Sequence, residues 1–455
     1  MQDHLDAVAG RLTAALIRPG DPDYDRARGA WNLIYSHRPA AVIEARSIDD
    51  VVEAVGLARR LGTSLAVQAT GHGFTVAADD AVLVTTAGLD LLEIDEKTSA
   101  ARIGAGIKWD AVLEAAQPLG LAPLLGSSPD VGAIGYTLGG GFGWLGRRYG
   151  LAADRVRSFT VVLADGSVVT ASTDSHPELF WALRGGGHGN LGVVVEMEIE
   201  LVPVTRVYAG NLLYPIEAAN EVFDRYRVWS GGLSDDFTTG FTIMNYPPID
   251  DIPEPLRGRS FAVVRGCHCG DQAEAAASVD EWRRWREPVV DMFGPMPFAD
   301  IAAVSQDPID PVPAMSTGYW LGGLDTGLCE AMVQVAAAGE QPSPVIFAET
   351  RQAGGAIARP SADTAFTVRR AERMLQVVAL TPSPEAIADT TARFERLRRQ
   401  LGDRITAPYL NFMEGEERAE SGREAFTDDA WGRLVALKRE VDPTGIFSCG
   451  LRIDV

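Results

Sequence analysis

Seven glycines fall between Gly132 and Gly146, in the run Val131-Gly132-Ala133-Ile134-Gly135-Tyr136-Thr137-Leu138-Gly139-Gly140-Gly141-Phe142-Gly143 and its continuation. Few local structures tolerate such a stretch. Glycine weakens helices and strands, and it is kept where backbone must come close to something else. A phosphate is one such thing, because without side chains several backbone N–H groups can converge on one anion. Gly132, Gly135, Gly139, Gly140, Gly141 and Gly143 are the candidates. The spacing is not that of a dinucleotide-binding βαβ unit: no helix-forming segment is expected to follow promptly, and no ribose-binding acid is placed. The Lys and Ser/Thr that end a Walker loop are absent too. Upstream, the apolar run Leu65-Ala66-Val67 empties into Ala69-Thr70-Gly71-His72-Gly73-Phe74. A strand ending in a glycine-flanked turn presents one imidazole, His72, where backbone can press against a planar ligand. A lone histidine on a turn is more often a surface residue. The glycine run behind it makes this one a candidate.

A chain of 455 residues exceeds one ordinary core, so two or three domains are expected. With 46% hydrophobic and 23% charged residues, it reads as globular and not disordered. The formal net charge of −21 speaks against nucleic acid, which demands clustered Lys and Arg, and against anionic membranes. Solubility accounts for that charge. The residues from Met1 to Val8 carry acids where a signal peptide needs bases, and no apolar stretch approaches the ~20 residues of a membrane helix. A cytoplasmic location is the expectation. The four cysteines set no disulfide framework, and Cys267-His268-Cys269 offers at most three tightly spaced ligands, so no metal site is expected.

Residues 1–205 alternate helix and strand signals. Ser47-Ile48-Asp49-Asp50 opens a helix that Gly62 stops, and Trp109 to Gln117 reads as another, closed by Pro118 and Gly120. Strands are expected over Ala81 to Thr86 and Ala101 to Ile103. Phe159 to Leu163 and Ser167 to Thr170 flank Ala164-Asp165-Gly166, a hairpin signal. After a helix from His176 to Leu183, a second glycine run, Gly185-Gly186-Gly187-His188-Gly189-Asn190-Leu191-Gly192, opens a strand from Val193 to Val202. Over 206–405 proline-rich loops separate helices (Asp271 to Arg286, Pro384 to Leu401) from strands (Phe261 to Val264, Val345 to Ala348). That mixed order suits an antiparallel sheet covered by helices on one face. Residues 406–455 read as a return to the first domain.

The His72 turn and the glycine run, taken together, resemble the flavin site of the berberine-bridge-enzyme-like oxidases of the vanillyl-alcohol-oxidase-type flavoproteins. The resemblance implies an α+β fold: a two-part FAD-binding domain with an inserted substrate domain built on an antiparallel sheet. It implies FAD bonded covalently to His72 and contacted by Ala69, Thr70, Gly71, Gly73, Phe74, Val131, Gly132, Gly135, Tyr136, Leu138, Gly139, Gly140, Gly141 and Gly143. Ser128 holds the position where some members carry a second attaching cysteine, and a hydroxyl is far less nucleophilic than a thiolate, so a single attachment is expected. Trp181 to Gly187 matches a second family segment, and Gly192, Val193 and Val194 would hold the adenine end. His188 departs from the pattern and is read as a polar neighbour of the cofactor or a surface residue.

Pro408-Tyr409-Leu410-Asn411-Phe412 resembles the segment that brings a catalytic tyrosine over the flavin. In a strand, alternation would put Tyr409 and Asn411 on one face. A phenol titrates near pH ~10, so as a base Tyr409 needs its phenolate stabilised. The second tyrosine of the family segment is Phe412 here. The strand Val345 to Glu349, Arg351, Tyr319 and Trp320 are pocket candidates, Gly354-Gly355-Ala356 with Phe366 and Arg369 resembles a feature of bacterial members, and Glu349, Glu414 and Tyr136 are alternative bases. The implied activity is oxidation of a small molecule, a sugar, alcohol or amine, with dioxygen as second partner; Val131 holds a position that gates oxygen. A dehydrogenase with another acceptor and a non-catalytic flavin-binding protein remain alternatives.

Overall fold

The Ser47 hydroxyl accepts from the Asp50 N–H, and the Asp50 carboxylate accepts from the Ser47 N–H. From this capping box the helix Ile48–Leu61 runs to Gly62, left-handed at φ 65°. The protein is seen here as a computed structural model that describes residues 2–339, 342–360 and 362–454. The helix is the crossover between strands Ala41–Glu44 and Leu65–Gln68, each paired in parallel with Val82–Thr85 lying between them. Strand Leu16–Ile17 adds an antiparallel edge. A second sheet of five antiparallel strands has the order Leu92–Asp95, Ala100–Gly104, Val193–Glu200, Val156–Val162, Val168–Ser172. Its last two strands form the hairpin expected around Gly166, whose φ is 89°. One core holds both sheets together and takes in Ile43, Val84, Phe159, Met197, Leu410, Leu434 and Phe447.

A nine-stranded, wholly antiparallel sheet begins at Arg206–Pro215. Helices Ala219–Gly231, Gln272–Trp285, Thr326–Ala336 and Pro384–Leu401 cover one face, burying Phe223, Trp282, Met332 and Phe394 against Phe241, Tyr319 and Val377. Register sets out the other face. One row reads Arg265, Gly240, Arg351, Met374, Trp320, and the next Val263, Thr242, Glu349, Gln376, Gly318. Tyr319, a pocket candidate by sequence, points to the helix side with its hydroxyl on Glu417, because alternation turns it away from Trp320. The last strand, Ile405–Pro408, pairs with Ala314–Leu321 before the chain leaves for the first domain. No helix among the described residues is long and apolar enough to cross a membrane.

The tail is fastened by a buried ion pair. Lys438 Nζ donates to Asp442 (2.6 Å), to the Phe447 carbonyl (2.9 Å) and to the Asn190 carbonyl (2.7 Å), so it also pins the second glycine run. Asp442 further accepts from the Ile446 and Phe447 N–H groups. Lys438→Met would leave that carboxylate buried and unpaired, a change worth about 3–5 kcal/mol. Denaturant unfolding should show this loss. An unchanged midpoint would mean that the tail is held by its apolar side chains alone.

Candidate functional site

Strand Leu65–Gln68 ends where Gly71 turns at φ 76°. A Cβ there would sit 2.7 Å from the Ala30 Cβ, so only glycine fits. The turn is braced by the Trp31 N–H on the Thr70 carbonyl (3.0 Å) and the Asn32 N–H on the Gly71 carbonyl (3.0 Å). The His72 ring lies flat on the Trp31 indole, centroids 4.1 Å apart and planes 13° from parallel. Nδ1 is 2.7 Å from the Thr70 hydroxyl, while Nε2 is buried with no protein partner. Burial lowers the pKa of the ring to about 4, with Asp130 opposing and Lys108 assisting. At neutral pH this is a neutral imidazole.

A cavity runs away from this turn. It is lined by Ala69, Gly73, Phe74, Gly135, Leu138, Gly192, Val193 and Val194, all anticipated, and by Thr75, Ile134, Gly187, His188, Arg418 and Cys449. The glycine run holds a helix after all, Ala133–Leu138 capped by Gly132. Ala, Ile, Tyr and Leu between the glycines suffice once tertiary packing adds its share. Its first-turn N–H groups have no acceptor within the helix, and Ile134 and Gly135 of that turn line the cavity. Beside Gly135 a Cβ would meet nothing within 4 Å. At several of the other glycines a side chain would have no room. A Cβ on Gly140 would meet Phe366, one on Gly141 the Tyr136 ring and Ala152, and one on Gly143 the Leu125 carbonyl. On Gly139 it would overlap the Asn411 amide oxygen and the His188 ring. His188, neutral because burial and then Arg418 disfavour its charge, is therefore a cavity residue.

Tyr409 does not lie in a strand. It caps a 3-10 turn, Leu410–Phe412, closed by the Phe412 N–H on the Tyr409 carbonyl (3.0 Å). The two side chains still meet, because the turn folds Asn411 back: its Nδ2 donates to the Tyr409 hydroxyl (3.3 Å) and to the Tyr136 carbonyl (3.0 Å). The Phe142 N–H also donates to that hydroxyl (3.1 Å). Trp320 packs on Tyr409, centroids 4.9 Å apart, and Phe412 at 5.6 Å. Burial raises the phenol to about 12, and the Phe142 N–H, Asn411 and then Arg351 pull it back only in part. At neutral pH Tyr409 keeps its proton.

Glu349 cannot serve as a free base, since it pairs with Arg265 and with Arg351 Nε (2.7 Å). Arg351 reaches on to the Ser127 hydroxyl (2.9 Å) and lies over the Trp144 ring. Tyr136 keeps a buried hydroxyl with no partner. Glu414, pushed to about 7 by burial, is held by Ser316 and Asn32. Ser128 caps the Asp130 N–H (3.3 Å), Val131 accepts from the Trp109 N–H (3.2 Å), and Arg369 pairs with Asp154. Trp31 and Arg418 were missed from sequence, as they lie in segments without any motif, and Ser127 was missed although it stands beside Ser128. Arg418 is the one charged residue lining the cavity among those described. With the N–H groups of Ile134 and Gly135, beyond the Ala133 N–H that is taken by the Ile107 carbonyl, it supplies the donors a pyrophosphate needs, and the rest of the lining is mostly apolar. Among the described residues no three His, Cys, Asp or Glu side chains gather as a metal site.

Gly139→Ala is expected to drive Asn411 out of line with the Tyr409 hydroxyl and to cut turnover about 10²-fold, the cost of a ~1 Å misplacement. Gly135→Ala, with open space beside it, is the control for folding, read by circular dichroism. Wild-type turnover in the Gly139 variant would show that Asn411 needs no such placement.

Four similarities fit this geometry. The family model described as FAD binding domain matches residues 39–172. The chain is 28% identical to (R)-6-hydroxynicotine oxidase of Paenarthrobacter nicotinovorans, over 97% of each chain. Its fold matches BBE-like 1 of Physcomitrella patens with a TM-score of 0.85 at 20% identity, covering 99% of this chain and 100% of that one. A chitooligosaccharide oxidase matches with a TM-score of 0.82 at 19% identity, covering 99% and 100%. The chain carries an FAD binding domain, shares the fold of the berberine-bridge-enzyme-like structure, and is an FAD-linked oxidoreductase.

Proposed function

We propose that the chain carries FAD on His72 by a single covalent bond and acts as an oxidase. It takes a hydride from a C–H next to O or N of a small molecule, and dioxygen accepts the electrons as hydrogen peroxide. The observation that carries this reading is His72 itself: a neutral, buried ring whose Nε2 has no protein partner, in a turn whose neighbours line the cavity. Ser128 offers only a hydroxyl, already engaged with Asp130, which supports one attachment and not two. Val131, at the oxygen-gating position, supports dioxygen as the acceptor. The relative named for hydroxynicotine and the structural neighbour named for chitooligosaccharide support amines and sugars as the first candidates to screen.

Bound flavin supplies the redox chemistry. The chain supplies orientation and a place for the proton. Tyr409, with two N–H groups donating to its oxygen, has its own O–H left to meet the substrate. When deprotonated it is the acceptor for the substrate's proton, with Asn411 and the Phe142 N–H holding the charge.

FAD should stay with the polypeptide through acid precipitation, and His72→Ala should release it. Flavin found wholly in the acid supernatant of the wild-type protein would end the covalent reading. Peroxide formed one-for-one with substrate separates the oxidase from a dehydrogenase.

Tyr409→Phe should retain the fold and the flavin but slow anaerobic flavin reduction by ~10²–10⁴-fold, the usual contribution of a positioned proton acceptor. Since burial raises the phenol to about 12, reduction by the wild-type protein should rise with pH throughout the range below that value. The Phe variant should lose this slope. A variant with wild-type rate and slope would return Tyr409 to a packing role.

A further inference from the structure

We infer that Trp31 is the positioning residue that aligns His72 for flavin attachment, and that it does so by the ring it lays on the imidazole, from a segment whose backbone is pinned to the substrate-domain sheet. The inference rests on the covalent reading of His72. Four observations carry it. The indole stacks on the His72 ring nearly parallel, at 4.1 Å. Its backbone N–H, with that of Asn32, holds the Thr70 and Gly71 carbonyls on either side of the turn. Its Nε1 donates to the Ile309 carbonyl (2.8 Å), and its own carbonyl accepts from the Val312 N–H (3.2 Å), both in the segment entering strand Ala314–Leu321. Asn32 continues the clamp: Nδ2 donates to the Ala314 carbonyl (2.9 Å) and to Glu414 (2.9 Å), and Oδ1 accepts from the Ala314 N–H (3.1 Å).

The arrangement leaves the imidazole few motions. Trp31 blocks one face, Thr70 fixes Nδ1, and Gly71 seats the backbone against Ala30. A ring held at one tilt can approach a flavin methyl carbon along one line only, and holding reacting groups so is worth orders of magnitude in rate. The reaction balances without any protein oxidant. One N–C bond forms between a His72 ring nitrogen and the methyl carbon. The imidazole N–H and one methyl C–H are lost, and their two hydrogens with two electrons reduce one dioxygen to hydrogen peroxide. The segment also ties the position of His72 to the sheet whose last strand, Ile405–Pro408, leads into Tyr409.

The test reads attachment, not turnover. Flavin-free full-length protein is incubated with FAD in air, and the covalent fraction is followed by intact mass and by flavin fluorescence in denaturing gels. Trp31→Phe and Trp31→Tyr keep a ring over His72. Trp31→Met and Trp31→Leu keep bulk without one. The ring-bearing variants should attach at close to the wild-type rate, and the aliphatic ones about 10²-fold more slowly at equal non-covalent FAD binding. Aliphatic variants attaching at the wild-type rate would overturn the inference, as would ring-bearing variants as slow as the aliphatic ones. Absence of covalent flavin from the wild-type protein would instead overturn the reading of His72, and this inference with it. Should either aliphatic variant fail to fold by circular dichroism, the other carries the comparison.

Discussion

The contact between Asn411 and Gly139 is the constraint from which the rest of the site follows. The amide of Asn411 occupies the space a side chain on Gly139 would take, and from there its Nδ2 reaches both the Tyr136 carbonyl and the Tyr409 hydroxyl. Gly139 ends the helix Ala133–Leu138 in the first domain, whereas Asn411 follows the last strand of the nine-stranded sheet. One amide therefore sets the distance between the cavity and the catalytic candidate. Neighbouring glycines keep the same kind of order: Gly141 admits the Tyr136 ring, and Gly140 admits Phe366, whose edge meets Trp320.

Burial is the common electrostatic theme. It keeps His72 and His188 neutral and raises the phenol of Tyr409. A neutral imidazole retains the lone pair that a nucleophile needs, so the same desolvation that hides His72 is compatible with the proposed attachment. Charge is concentrated on the sheet, where Glu349 joins Arg265 and Arg351. Gly240, opposite Arg351 in the register, leaves room for this group between the strands. Breaking such a pair costs far more than the pair contributes, because a lone buried charge remains.

Much of the first domain was legible in the sequence because its signals are local. Ser47 and Asp50 form the capping box, Gly62 and Gly120 turn left-handed, and Gly166 closes its hairpin. Each of these needs only a few neighbouring residues. The expectation failed where local and tertiary preferences diverge. The glycine run was read as too poor in helix formers, and packing made a helix of it. The Tyr409 segment was read as a strand, and a 3-10 turn brought Asn411 back by a different route to the same partner. Tyr319 and Trp320, adjacent in sequence, face opposite sides of the sheet, and only the register says which side is which.

By itself the sequence determined which residue types stand in which motif: a histidine in a glycine-flanked turn, a serine where a second attaching thiol would stand, a tyrosine two positions before an asparagine. These are properties of short segments, and short segments carry their own chemistry and turn preferences. Only the tertiary structure decided that Trp31 lies on His72, that Arg418 enters the cavity, and that Arg351 meets Ser127. Those partners are separated by long stretches of chain. No local pattern encodes them, because they meet only when three sheets and the returning tail pack into one arrangement that buries their apolar faces.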